Sequence, residues 1–83
     1  MIKLDKEYST IEDSIGNLVL KNDETDIFVL ILDTDMKEVV TFSGVSEKDV
    51  TNMNEVTSEY LGKKYFYYED DVVKYRVGGL SNG

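Results

Sequence analysis

The 83-residue chain has no cysteine, histidine, proline or tryptophan. Without cysteine it can form no disulfide, no thiolate nucleophile and no zinc–thiolate site. Without histidine it lacks the commonest general base near neutral pH and the Ser–His and Cys–His pairs of covalent catalysis. Two carboxylates can cleave sugars, but they need a cleft for which so short a chain has little room. We therefore expect a protein that is not an enzyme, with no catalytic residues and no cofactor.

Long hydrophobic segments are also missing. The longest apolar run, residues 27–32, is far shorter than the roughly 20 residues that cross a bilayer as a helix. The first residues run into charge at Asp5, Lys6 and Glu7 before an apolar region typical of a signal peptide develops. Since the lack of cysteine also favours a reducing compartment, the sequence predicts a cytoplasmic protein without membrane contact.

Positive charge is scarce. Nine basic side chains oppose 17 carboxylates, which gives a net charge of -8. Up to Gly44 there are ten acids and four lysines, whereas from Val45 onwards there are seven acids and five bases. Such an excess disfavours binding to phosphates of nucleic acids or membranes and favours a basic partner. Acidity that serves only solubility is the alternative.

The size of the chain predicts one domain over residues 1–78, followed by a flexible tail at 79–83. Near the start, Ser9 precedes Glu12 by three residues, the spacing of a capping box, and Ile11 and Ile15 lie one helical turn apart. This pattern predicts a short helix over residues 10–15, ended by Gly16.

Three strands are predicted next, at residues 18–20, 27–32 and 38–43, and they form an antiparallel meander. Because residues 27–32 are apolar at every position, we expect a central strand covered on both faces. Ser46 and Asp49 predict the start of a helix over 47–61, which ends at Gly62. Residues 63–68 and 72–77 form a hairpin around an acidic turn at 69–71. The fold class is α+β: an antiparallel sheet of about five strands with one main helix packed on a face.

Two groups of residues could form a functional site, but an ordinary structural role explains each of them equally well. Asp33 and Asp35, like Asp70 and Asp71, have hard oxygen ligands for a cation, but no calcium-loop glycine follows Asp35, and aspartate is an ordinary turn residue. The hairpin alternates basic and aromatic residues, as single-strand nucleic-acid platforms do. The net charge argues against that use, and tyrosines packed on the helix explain the pattern equally well. We predict neither a metal site nor direct nucleic-acid binding.

The remaining hypothesis is a small inhibitor whose carboxylates replace phosphates on a partner's basic, nucleic-acid-binding surface. In size and acidity the chain is similar to phage-encoded DNA mimics, such as anti-defence and anti-CRISPR proteins. The alternative is an accessory or self-associating domain whose edge strands, such as those of the tyrosine-rich hairpin, pair with another chain. We expect the protein to be a monomer or a homodimer. The predicted partner-binding residues are the acids of the loops and of the helix flank: Asp23, Glu24, Asp26, Asp33, Asp35, Glu55, Glu59, Asp70 and Asp71.

Overall fold

The structure, a computed structural model, describes residues 2–76. In chain order the elements are β1 (Tyr8–Glu12), β2 (Leu18–Asn22), β3 (Ile27–Asp33), β4 (Glu38–Phe42), α1 (Glu47–Leu61), β5 (Phe66–Glu69) and β6 (Val72–Tyr75). Strands β1 to β4 form an antiparallel sheet in sequence order, and β5 and β6 form a separate hairpin. The α+β class with one helix packed on the sheet is confirmed. The predicted tail at 79–83 and Val77 lie outside the described residues.

The predicted helix over residues 10–15 is wrong, because these residues form most of β1 and the turn after it. Ile11 pairs with Val19 across the ladder between β1 and β2. The Ser9 hydroxyl donates to Asp23 Oδ1 at 3.1 Å instead of capping a helix. A helix of one and a half turns is marginal by itself, whereas β1 gains a full strand ladder by pairing with β2. The predicted meander of three strands is thus part of a sheet of four.

Strand β3 lies inside the sheet, between β2 and β4, as predicted. The expectation that both of its faces are covered is wrong, since Ile27 and Phe28 are 44% and 49% exposed. A bulge explains the uniform apolar run: Leu20 pairs with Leu30 and Lys21 with Phe28, which leaves Val29 as an extra residue. Val29 and Leu30 can therefore both be buried although they are neighbours in sequence.

The helix α1 has the predicted bounds. The Ser46 side chain accepts the N–H of Asp49 at 3.1 Å, and Gly62 ends the helix with φ of 79°. Val50 and Met53 lie three residues apart on one face of α1 and are buried against the sheet. Their partners are the leucines that alternate along β2 and β3, and these define the inner face of the sheet: Leu18, Leu20, Leu30 and Leu32.

The chain enters α1 through a close approach at Gly44. A Cβ atom there would lie 2.5 Å from Met53 Sδ and 3.2 Å from Asp49 Cβ, so any side chain would displace the buried methionine. Gly44 follows the meander at this point because only glycine allows the backbone this close to the helix.

The hairpin packs on the same side of the sheet as α1. Phe66 is 4% exposed, and its ring lies edge-on to Phe42 of β4 at 4.9 Å and 5.3 Å from Tyr75. Asn54 fixes it to the helix, because its side chain accepts from the Phe66 N–H and donates to the Phe66 carbonyl, at 3.0 and 2.8 Å. The hairpin aromatics thus contribute to the core as well as to the surface.

Candidate interaction surface

Asp13 and Asp33, each in a turn of the sheet, have the same structural role of accepting hydrogen bonds from backbone N–H groups of the turn. Asp13 Oδ1 accepts the N–H groups of Ile15 and Asn17, and Asp33 Oδ1 accepts those of Asp35 and Met36, at 2.9–3.0 Å. These bonds satisfy turn amides that no strand partner reaches. The turn interpretation of Asp33 therefore fits the geometry, and the Asp13 and Asp33 side chains are nevertheless only partly buried.

The strand order places two of the three sheet turns together. Adjacent antiparallel strands reverse direction, so the β1–β2 and β3–β4 turns lie at one end of the sheet and the β2–β3 turn at the other. The two turns at the first end are about 10 Å apart, two strand spacings. The carboxylates there define what we call the acidic end: Glu12, Asp13, Asp33, Asp35 and Glu38.

The acidic end has almost no compensating charge. Residues 12–17 and 33–38 contain five acids and one base, Lys37. Within the described part of the chain, no lysine or arginine lies within ion-pair distance of these five carboxylates. Asp33 and Glu38 are directly opposite each other across the β3–β4 ladder, an arrangement that destabilises a sheet when both residues carry the same charge. Negative charge is therefore concentrated here at some cost to the fold.

The opposite end is more nearly neutral. Lys21 Nζ lies 2.7 Å from Asp26, and its hydrogen bond and charge lower the pKa of that carboxyl. Lys48 forms an ion pair with Glu7, and the hydrogen bond lowers the pKa of Glu7. Asp23, Glu24 and Asp26, predicted as one group with Asp33 and Asp35, are thus separated from them by the length of the strands.

The other predicted partner-binding acids do not join the acidic end. Glu55 is half-buried and its Oε1 accepts the N–H of Lys3 at 3.2 Å, while Glu59 is exposed one turn further along α1. Asp70 and Asp71 form the two-residue turn of the hairpin, where both have positive φ, 56° and 61°. The structure therefore brings together Asp33 and Asp35 of the predicted set and adds three acids that sequence reasoning did not select: Glu12, Asp13 and Glu38.

A buried carboxylate near the start of α1 is the strongest candidate for unusual chemistry. Asp49 is 4% exposed; its Oδ1 accepts the Tyr8 hydroxyl at 2.5 Å and its Oδ2 accepts the Val45 N–H at 2.8 Å. Burial, and then the hydrogen bond to Asp49, raise the pKa of Tyr8 strongly. Both carboxylate oxygens are occupied by structural donors, so this pair joins β1 to α1. The position of Asp49 three residues after Ser46 indicated a helix cap in the sequence, but nothing in the sequence indicated the hydrogen bond with Tyr8.

The sheet surface opposite α1 is the second candidate. Ile11, Val19 and Ile31 are directly paired across three neighbouring strands, so they share one face, and they alternate with the inner leucines. Lys21 Nζ lies 5.9 Å from the centre of the Phe28 ring. Val40 is an extra residue in β4, since Thr41 pairs with Ile31 and Val39 with Leu32. Phe28 and Val40 are about half exposed, 49% and 54%. We call this surface, with its five apolar residues, the outer face. Within residues 2–76, α1 and the hairpin pack on the inner face instead.

Comparisons with known proteins give no relative. No protein-family model matches the chain, and no curated protein or solved structure is significantly similar to it. Across the described residues, carboxylates do not gather in a group of three or more suited to hold a metal ion. No helix in this range is long and apolar enough to cross a membrane. Function must therefore be argued from the surfaces themselves.

Proposed function

We propose that the protein is a non-catalytic inhibitor that binds a basic, nucleic-acid-binding surface of another protein through its acidic end. The observation that carries the proposal is the concentration of Glu12, Asp13, Asp33, Asp35 and Glu38, with Lys37 as the one base in the two turns. Carboxylates held on rigid turns present charge to arginine and lysine side chains much as phosphates do. Long-range attraction would speed association and select basic partners.

An unfavourable pair of like charges supports a binding role. Asp33 and Glu38 face each other across the ladder, and a neutral pair would suit the fold better. Acidity for solubility alone requires no such juxtaposition, since exposed positions elsewhere serve equally well. A basic partner would relieve the repulsion when it binds, which makes the unfavourable pair a source of affinity.

Two charge-matched variants test the proposal. The first removes three acids at the acidic end that have no turn-capping role: Glu12→Gln, Asp35→Asn and Glu38→Gln. The control removes three acids elsewhere: Glu47→Gln, Asp70→Asn and Asp71→Asn. Wild type and both variants are used to capture partners from cells that carry the protein, and nucleic-acid displacement from the captured protein is followed by mobility shift.

We expect the captured partner to bind nucleic acid and to lose it when wild-type protein is added. At low salt the acidic-end variant should bind about tenfold more weakly, since each exposed charge pair contributes about 0.2–1 kcal/mol, while the control changes little. Affinity should also fall as NaCl is raised, because screening weakens exposed charge pairs. Equal losses in the two variants, or binding that does not depend on salt, would contradict the proposal.

Self-association is the second candidate function, and the apolar outer face is the observation that favours it. Exposed apolar patches such as the outer face occur at interfaces between proteins, including those between copies of one chain. The net charge of -8 opposes it, because two copies repel each other. Sedimentation velocity over a range of salt concentrations separates the two candidates, since a charge-opposed dimer appears only when salt is high.

A further inference from the structure

We propose that the outer face forms the apolar centre of the partner-binding surface, beside the acidic end, and that the partner presents an apolar patch bordered by lysine or arginine side chains. The inference rests on the proposed function and deepens it, because it adds an apolar centre to an interface so far defined by charge alone. It commits to a heterologous basic protein as the occupant.

A row of three apolar residues, which Thr41 extends to β4, crosses the centre of this face. Ile11 pairs with Val19, Val19 with Ile31, and Ile31 with Thr41, so one register row spans all four strands. Ile11 is 47% exposed, whereas Val19 in the row is 3% exposed. The exposed apolar groups are therefore Ile11 in the row and Phe28 beside it, and exposed apolar patches mark protein interaction sites.

Acids border the patch at both ends, without a basic partner at the acidic end and in part paired with Lys21 at the other. Asp33 and Glu38 lie on the outer face at the acidic end, since they follow and precede inward-facing residues of β3 and β4. At the other end, Asp23 accepts a hydrogen bond from Ser9 and Asp26 pairs with Lys21, and both of those partners also belong to the outer face. An apolar centre with a polar rim is the usual anatomy of an interface.

The charge of the rim identifies the occupant. A second copy of the chain would bring its own acidic rim against this one, and like charges across an interface cost several kcal/mol. An anionic membrane or nucleic acid would meet the same repulsion. A basic rim around an apolar patch complements the surface in both respects, and it fits proteins that hold nucleic acid through lysine, arginine and exposed aromatic side chains.

Two synthetic peptides serve as probes, because they separate charge from apolar contact. One alternates lysine with leucine, and the other alternates lysine with serine at the same length and charge. Each is titrated into the ¹⁵N-labelled protein, which locates the contact by amide chemical shifts and gives the affinity. We expect the lysine–leucine peptide to bind about tenfold more tightly or better, since burying one large apolar side chain contributes about 1.5–3 kcal/mol. Its largest shifts should fall at Ile11, Val19 and Ile31.

A matched pair of variants tests the same point. Ile11→Ser with Val40→Ser removes exposed apolar groups from the outer face, and Val45→Ser with Val72→Ser removes comparable groups from other surfaces. The first variant should lose the preference for the leucine peptide and keep its affinity for the serine peptide. The second should behave like wild type. Amide spectra of both variants establish that the fold is intact before any titration.

Several outcomes would overturn the inference. Equal affinity for the two peptides, shifts confined to α1, or an unaffected outer-face variant each exclude this face as the contact. A dimer at high salt that Ile11→Ser with Val40→Ser abolishes would replace the basic partner by a second copy. If the partner captured above is lost by the acidic-end variant alone, the proposed function stands and this inference fails. If the leucine peptide binds here but no nucleic acid is displaced, the reverse holds.

Discussion

At the scale of single residues, three polar side chains with little exposure connect segments that are distant in sequence. Asp49 receives the Tyr8 hydroxyl, and Asn54 binds the Phe66 backbone through two hydrogen bonds. Asn52, 1% exposed, binds the backbone N–H and the carboxylate of Asp5 at 2.8 and 3.0 Å. Each bond satisfies a group whose burial without a partner would cost about 1–3 kcal/mol. Helix α1 thus holds the N-terminal segment, β1 and the hairpin through polar contacts.

The Tyr8–Asp49 pair predicts sensitivity to alkali. The pKa of Tyr8 is raised in the folded protein, so its contribution to stability is complete below about pH 10, the value for an unfolded tyrosine, and is lost as the pH rises towards the folded pKa. Above pH 10 the free energy of unfolding should fall by about 1.4 kcal/mol per pH unit for this group. Urea unfolding between pH 8 and about 11.5 measures the slope.

The control for this prediction is Tyr8→Phe, which removes the titrating group. It should be less stable than wild type at pH 7 by about 1.5–3 kcal/mol, because Asp49 loses a donor in a buried site. Above pH 10 its stability should decline less steeply. A variant with the same alkaline slope as wild type would show that Tyr8 does not hold its proton more tightly in the fold.

At the scale of elements, the turns of the sheet are stabilised by recurring side-chain hydrogen bonds and backbone conformations. Asn22, like Asp33, uses its side-chain oxygen to bind the N–H groups two and three residues later, and a residue with positive φ follows at the fifth position, Asp26 or Lys37. The β2–β3 and β3–β4 turns therefore share one design. The hairpin turn differs, because Asp70 and Asp71 both have positive φ, which favours asparagine and glycine.

The hairpin turn should accept glycine with a gain in stability. A residue such as aspartate has a conformational free energy about 1–2 kcal/mol higher in the left-handed region, and glycine removes this strain. Glycine also makes the unfolded chain more flexible, which offsets about 0.4–1 kcal/mol of the gain in stability. Asp71→Gly should therefore raise the free energy of unfolding by about 0.5–1 kcal/mol, as measured by urea unfolding. Asp35→Gly, the same substitution at a turn position without positive φ, should lower it. A loss of similar size in both variants would refute the turn assignment.

At the scale of the whole molecule, the charge excess acts on stability as well as on binding. The three ion pairs of the described residues involve exposed or half-exposed lysines and contribute little. Repulsion among the 17 acids, which only nine bases oppose, is therefore the larger electrostatic effect. It weakens the folded state most at low ionic strength, where screening is least.

Stability should consequently rise with salt. We expect a higher free energy of unfolding in about 0.5 M NaCl than at low ionic strength, because a shorter Debye length screens the net repulsion. Urea titrations at the two salt concentrations measure the change. The acidic-end variant, with three fewer negative charges, should show a smaller dependence. A wild-type stability that falls with added salt would mean that the ion pairs outweigh the repulsion.

The strongly local features follow from the sequence alone. Helix α1 follows from Ser46, an apolar face of the correct period and Gly62, all within 17 consecutive residues. The hairpin and strands β2 to β4 follow from apolar runs bounded by turn residues. The lack of histidine and cysteine, and the charge of -8, are properties of composition that no folding can alter.

Features that depend on residues distant in the chain arise from the tertiary structure. Strand β1 has a weak local pattern and exists because β2 offers it a ladder. The bulge at Val29 explains why an unbroken apolar run leaves Phe28 at the surface. The addition of β1 to the meander places Glu12 and Asp13 at the same end of the sheet as Asp33 and Glu38. Charge content is thus additive along the chain, whereas the shape of a charged or apolar surface depends on the spatial arrangement of the strands.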